Sequence, residues 1–141
     1  MPISGLTELV LVVRDVRAAT HFYEHIVGLT LERPADDEWA WFWSGEPGAS
    51  ARLALSRGPL LFEEHSPHPA GARFGCAHFA FNVAREDIDA RLATVRANDI
   101  EIFGPTSFDW MNADSWYFYD PDGNLVEFWV PRHEEGRRQM A

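Results

Sequence analysis

The sequence predicts an α+β fold in which two copies of a βαβββ module form a curved mixed sheet around a single cavity. Three observations carry the prediction: a strand–helix–strand order in each half, a fixed offset relating the halves, and polar residues at matching places in apolar strands. The 141 residues are near the usual size of one domain, and 46% hydrophobic with 13% aromatic residues is enough to fill a core without staples.

Residues 6–14 (LTELVLVVR) are apolar, rich in β-branched side chains and too short for a typical helix, which predicts a buried strand. Asp15 is a helix-cap residue. From Val16 the apolar positions Ala19, Phe22, Tyr23, Ile26 and Val27 recur at three and four, and Gly28 supplies a left-handed stop. Strands at 29–33, 39–43 and 51–56 follow, divided by stretches carrying Pro, Gly, Asp and Ser. The first module therefore spans 6–56, and a linker rich in Gly, Pro and His covers 57–74. The second module, 75–131, repeats the order. A strand at 76–83 precedes a helix at 86–97 with Ile88, Leu92 and Val95 on one face, then strands come near 100–103, 115–119 and 125–131. DPDGN suits a tight reversal between the last two. The tail, 132–141, has no apolar periodicity, so 1–141 is read as a single domain.

The repeat can be tested by subtraction. Val13 and Val83 lie 70 apart, as do Gly28 and Asn98, while Pro34 and Pro105, each expected to close a strand, lie 71 apart. An internal duplication with one inserted residue explains these offsets. The same offset of 70 carries Glu8 onto His78, and matching ARLALS with NLVEFW sets Ala54 against Glu127. Of four related positions, three hold groups able to bind a metal and the fourth holds a methyl.

Strand alternation sets Leu9, Leu11 and Val13 against Glu8, Val10 and Val12, and Phe79, Phe81 and Val83 against His78, Ala80 and Asn82. The apolar faces are the natural ones to pack on helices, which leaves Glu8, His78 and Glu127 on the concave side. A buried ionised carboxylate is costly unless paired or metal-bound, so two beside one imidazole are best explained by a divalent cation. Taken singly, Glu8 also reads as a solvated edge residue and His78 as an interior histidine; their coincidence in register favours ligation. His21, His25, His65, His68 and His133 share no such register and read as surface residues, and Cys76 reads as a small core residue.

A formal charge of −10 opposes nucleic acid and anionic lipid, and no apolar stretch approaches a membrane span. The single cysteine excludes an intramolecular disulfide, and no charged segment followed by an apolar run opens the chain. A cytoplasmic protein with a small-molecule partner is expected.

Three segments, ISGLTELVLVVRDVRAATHFYEHIVGLTL, GCAHFAFNV and SWYFYDPDGNLVEFW, together resemble the landmark segments of the vicinal oxygen chelate superfamily. That superfamily includes glyoxalase I, fosfomycin resistance enzymes, extradiol dioxygenases and bleomycin resistance proteins. The resemblance runs from about residue 3 to 131 and is most specific in DPDGNLVEF, whose glutamate matches the family's last metal ligand. It implies a glyoxalase-like fold and ligands at the starts of the first and fifth strands and the end of the eighth. These map onto Glu8, His78 and Glu127, holding Mn, Zn, Ni, Co or Fe. It also implies a homodimer, because family members pair their modules within or between chains. Glu8 stands where His or Gln is usual, which disfavours an iron dioxygenase. Val10 replaces the threonine of fosfomycin enzymes, and Ala54 replaces a fourth ligand of glyoxalase I.

Ser115, Tyr117 and Tyr119 share a strand face that the resemblance turns toward the cavity. Tyr117 then either donates a hydrogen bond or proton to substrate, as a catalytic partner of Glu127, or is a structural phenol. Trp129 shares a face with Glu127, Arg52 shares one with Ala54, and Trp41 and Trp43 alternate with core-facing Phe42. With Ser115 and Tyr119 these are the candidate substrate-binding residues. The expected function is a metal-dependent enzyme using a divalent cation as Lewis acid on a small oxygenated substrate. Lyase, isomerase or group-transfer chemistry fits better than oxygen activation. The alternative, supported by tryptophan content and acidity, is a metal-free protein that sequesters an aromatic cationic antibiotic.

Overall fold

A computed structural model describes residues 3, 5–58 and 77–132. Most of the 57–74 linker, the tail beyond Arg132, Cys76, His65, His68 and His133 lie outside the described residues. The chain divides into two compact units, Met1–Phe74 and Gly75–Ala141, each α+β.

In the first unit, β1 (Glu8–Val12), α1 (Val16–His21), β2 (Thr30–Leu31), β3 (Trp39–Trp43) and β4 (Arg52–Ser56) follow in order. The sheet order is β1-β4-β3-β2, with β1 parallel to β4 and the other pairs antiparallel. Asp15 is extended and its carboxylate accepts the Ala18 N–H, satisfying one of the donors a helix start leaves unpaired. Beyond His21 the helix widens into a π-helical segment, Phe22–Val27, and ends at Gly28 with φ 96°, a conformation glycine adopts without strain. Two adjacent pairs, Phe22–Tyr23 and Ile26–Val27, are thereby all buried. They join Leu11, Val13, Ala40, Phe42, Leu53 and Leu55 in the core. Each such valine, leucine, isoleucine or phenylalanine side chain contributes about 1.5–3 kcal/mol when fully buried.

The second unit contains β5 (His78–Asn82), α2 (Ile88–Ala97), β6 (Phe103–Phe108), a 3-10 turn at Asp109–Met111, β7 (Ala113–Tyr119) and β8 (Leu125–Pro131). Its order, β5-β8-β7-β6, repeats that of the first unit, again with the first and last strands parallel. The register repeats too: Val10 pairs with Ala54 as Ala80 pairs with Glu127. The core is Val83, Ile88, Leu92, Val95, Phe118, Val126, Phe128 and Val130. In DPDGN, the Asp120 carboxylate accepts the N–H groups of Asp122 and Asn124, and the Asn124 side-chain oxygen accepts from Ala77 N–H. The turn therefore ties the start of β8 to the start of β5.

Several boundaries differ from expectation. β6 runs over Phe103–Phe108 rather than 100–103, so Pro105 lies within a strand instead of closing one. Its register shifts between Phe103 and Thr106, and β6 is the edge strand, where a residue lacking an N–H is tolerated. Asn98 is not left-handed, with φ −100°; the left-handed residue after α2 is Asp99, with φ 59°. β2 is only two residues long, and α2 begins at Ile88. Among the described residues no helix is long and apolar enough to cross a membrane.

Candidate functional site

In the second unit, pairing of β5 with β8 and of β8 with β7 puts His78, Leu125, Glu127, Trp129, Ser115, Tyr117 and Tyr119 on one sheet face. Glu127 is only 6% exposed. Such a carboxylate is destabilising unless its lone pairs are met, and two groups meet them. The Ser115 hydroxyl donates to Oε2 at 2.6 Å, and His78 Nε2 lies 3.1 Å from Oε1. His78 Nδ1 is 3.1 Å from the Leu125 carbonyl oxygen. A carbonyl only accepts, so the hydrogen-bond partners assign the Nδ1 proton to that contact. Nε2 then turns a lone pair toward a carboxylate oxygen, an arrangement completed by a proton or a metal cation.

Tyr117 pairs directly with Glu127 in the ladder, and its ring lies 6.1 Å from that of His78. Burial pushes its phenol above the ordinary value, the Glu127 charge pushes it further, and a hydrogen bond with Ser115 works against both. Tyr117 therefore stays a protonated donor at neutral pH. Ser115, named above for substrate binding, is fully buried with its hydroxyl committed to Glu127. Trp129 is 8% exposed, and its indole N–H finds no acceptor among the described residues. Tyr119 is exposed and its ring packs edge-on against Phe103 at 6.2 Å.

In the first unit the same logic puts Glu8, Arg52, Ala54, Trp41 and Trp43 on one face, opposite buried Phe42. The Glu8 carboxylate makes no hydrogen bond or ion pair with a described residue of its own unit. Arg52 lies over the Trp43 ring at 5.1 Å and Arg33 over Trp41 at 5.8 Å, while Trp39 and Trp41 stack at 5.4 Å. Glu32 sits between the two cations, Oε2 being 3.1 Å from Arg52 Nε and 3.6 Å from an Arg33 terminal nitrogen. The shorter contact is an ion pair without aligned hydrogen-bond geometry, since neither atom has a hydrogen-bond partner. Sequence reasoning missed Glu32 and Arg33. Alternation through the expected 29–33 strand was a signal for Glu32 alone, which the structure pairs with Trp41 through the Glu32 N–H bond to the Trp41 carbonyl at 2.8 Å; it gave none for Arg33.

Within each unit, the described residues hold no group of three or more His, Cys, Asp or Glu arranged for a metal. The second unit supplies the His78–Glu127 pair, and the first supplies Glu8. His21 and His25 are exposed with rings 5.0 Å apart, and His25 lies 3.1 Å from Glu24.

The sequence matches the model of the Glyoxalase/Bleomycin resistance protein/Dioxygenase superfamily over residues 5–128. The chain belongs to that superfamily. Among solved structures of the glyoxalase superfamily fold, a glyoxalase/bleomycin resistance protein/dioxygenase from Nocardioides is 28% identical. It has a TM-score of 0.68 and covers 95% of this chain and 87% of its own. An antibiotic binding protein from a Streptomyces species is 25% identical, with a TM-score of 0.64 over 93% of this chain and 98% of its own. A fosfomycin resistance protein from Listeria monocytogenes, solved with Mn(II) and sulfate, is 22% identical with a TM-score of 0.68 over 99% of both chains, a likeness of fold. The DPDGN turn of this superfamily member fixes the β8 start that carries Glu127, and β8 in turn orients His78 through the Leu125 carbonyl.

Proposed function

We propose that this protein is a metal-dependent enzyme in which Glu8, His78 and Glu127 hold one divalent cation against a small oxygenated substrate. The observation that carries the reading is the His78–Glu127 pair, in which both imidazole nitrogens face acceptor oxygens and the carboxylate is buried. These residues fit a cation: an imidazole anchored through Nδ1, and a carboxylate anchored through one oxygen, are the donors that Mn, Zn, Ni or Co accept. When bound, the cation supplies Lewis-acid stabilisation of an oxyanion. Leu125 holds the His78 ring in its tautomer, and Ser115 holds one Glu127 oxygen. Tyr117, kept protonated, donates a hydrogen bond or proton to a substrate oxygen as negative charge develops there. With two carboxylates and one imidazole the donor set favours lyase, isomerase or group-transfer chemistry over oxygen activation. The reading includes a cytoplasmic location and a homodimer, the latter supported by the edge strands that each four-stranded sheet has to cover.

A second reading, sequestration of an aromatic cationic antibiotic without metal, draws on the Trp39–Trp41 stack and on likeness to the Streptomyces antibiotic binding protein. Against it, Arg33 and Arg52 already lie over Trp41 and Trp43. A cationic ring stacking there must first displace a guanidinium. Titration of a hydroxamate and of a planar aromatic cation, each with and without Mn²⁺, separates the two. The enzyme reading expects hydroxamate binding that requires metal and weakens in Glu8→Ala. Tight binding of the planar cation without metal, with hydroxamate indifferent to Mn²⁺, favours sequestration.

A further inference from the structure

We propose that the first unit carries a carboxylate-binding subsite at Arg52, which selects substrates having an acid group on a small apolar body. The inference rests on the reading above that this fold face serves a small-molecule site, and it adds the chemical class of the ligand. A cavity of about 270 Å³ opens beside the start of β1, lined by Leu6, Thr7, Trp43, Arg52 and the 48–51 backbone segment. That volume suits a small acid rather than a drug-sized molecule.

Arg52 is held in place before any ligand arrives. Its Nε faces Glu32 at 3.1 Å, and its guanidinium lies over the Trp43 ring at 5.1 Å. A guanidinium carries five N–H donors in a rigid fork, and with Nε turned to Glu32 the two terminal nitrogens form the remaining fork. Those two make no hydrogen bond with a described residue. An end-on fork beside a cavity is matched by a carboxylate, which accepts two parallel N–H bonds. The ring of Trp43 and the 69%-exposed side chain of Leu6 supply the apolar walls for the rest of the ligand.

The segment that carries the lining residues 48–51 is also tied down. The Ser44 hydroxyl donates to the Ala51 carbonyl at 2.6 Å, and the Ser50 hydroxyl accepts the Gly45 N–H and donates to the Glu46 carbonyl, both at 3.0 Å. Little ordering is therefore left to do on binding. The net charge of −10 does not exclude an anion here, because charges beyond about 8 Å are largely screened at physiological salt. Arg33 and Arg52 balance Glu32 and Glu8, the β1 partner of Arg52, so the anion is drawn by the local fork of N–H donors rather than by a net positive charge. This arrangement also accounts for the Arg-covered tryptophans, which disfavour a cationic ligand.

Calorimetric titration of the full chain, stripped of metal, with benzoate, acetate and benzamidine tests the subsite. Benzoate is expected to bind at least tenfold more tightly than either acetate, which lacks the apolar body, or benzamidine, its cationic analogue. Arg52→Met should abolish benzoate binding, and Trp43→Ala, which removes an apolar wall on the Arg52 face, should weaken it at least tenfold. Benzamidine binding as tightly as benzoate, or benzoate affinity unchanged in a folded Arg52→Met or Trp43→Ala protein, overturns the proposal. The metal reading fails separately: Arg52-dependent benzoate binding in a protein whose hydroxamate binding ignores Mn²⁺ keeps the subsite and removes the metal.

Discussion

The Ser115 hydroxyl donates a 2.6 Å hydrogen bond to Oε2 of Glu127, so one oxygen of a buried carboxylate is fixed while the other faces His78. A hydrogen bond to a charged group contributes roughly 1.5–3 kcal/mol, and removal of an outer partner of a metal ligand typically weakens metal binding about 10–100-fold. Ser115→Ala is therefore expected to lower the urea midpoint by an amount equivalent to about 2 kcal/mol and to weaken Mn²⁺ binding at least tenfold. Unchanged values for both contradict this role for Ser115.

Asp114 anchors a network at the outer side of β7. Burial raises its carboxyl, but hydrogen bonds from Ser107, Arg85 and Arg132 and the Arg132 charge outweigh that and hold it below the usual value of 3.8. A carboxyl depressed on folding contributes stability that is present above its unfolded value and is lost as pH falls through the folded one. Asp114→Asn should cost about 1–2 kcal/mol at pH 7, and the gap from the parent should close as the pH drops below about 4. Urea titrations at pH 7, 5 and 3.5 measure this. A gap that is constant with pH contradicts it.

Gly104 has φ 123°, and a Cβ there would lie 2.7 Å from the Ser115 carbonyl oxygen. Gly123 also has positive φ, 89°, but a Cβ there meets nothing within 4 Å. Gly123→Ala should cost about 1–2 kcal/mol of backbone strain, and Gly104→Ala more, because backbone must also shift. Thermal unfolding of the two variants compares them, and equal losses contradict the close approach of β6 to β7.

Ala54 is to Val10 what Glu127 is to Ala80. Ala54→Glu should therefore retain metal and block hydroxamate binding, by adding a carboxylate on the Glu8 face. Hydroxamate binding as strong as in the parent shows that Ala54 does not border the metal.

The duplication, the strand faces and the Ala54–Glu127 equivalence were legible because a period of two and an offset near 70 survive in the order of residues. β6 was not legible. Its Gly104–Pro105 pair reads as a breaker in sequence, whereas at a sheet edge it becomes a register shift within a strand. The Glu32–Arg52 pair was hidden for a different reason. Glu32 reaches Arg52 only because β2 folds back on β3 and β3 pairs with β4, which is tertiary information. The commitment of Ser115 to Glu127 was half visible: their strands were read, but the register that makes Ser115 a neighbour of Trp129 and Glu127 depends on the β7–β8 pairing.

The central claim, that Glu8, His78 and Glu127 jointly hold one cation, is tested most directly by Mn²⁺ titration of the parent chain against Glu8→Ala, His78→Ala, Glu127→Ala and the control His21→Ala. The account predicts one site per chain, weakened at least a hundredfold by each of the first three substitutions and unaffected by the fourth. Affinity that survives in folded Glu8→Ala or His78→Ala, or that is lost equally in His21→Ala, contradicts it.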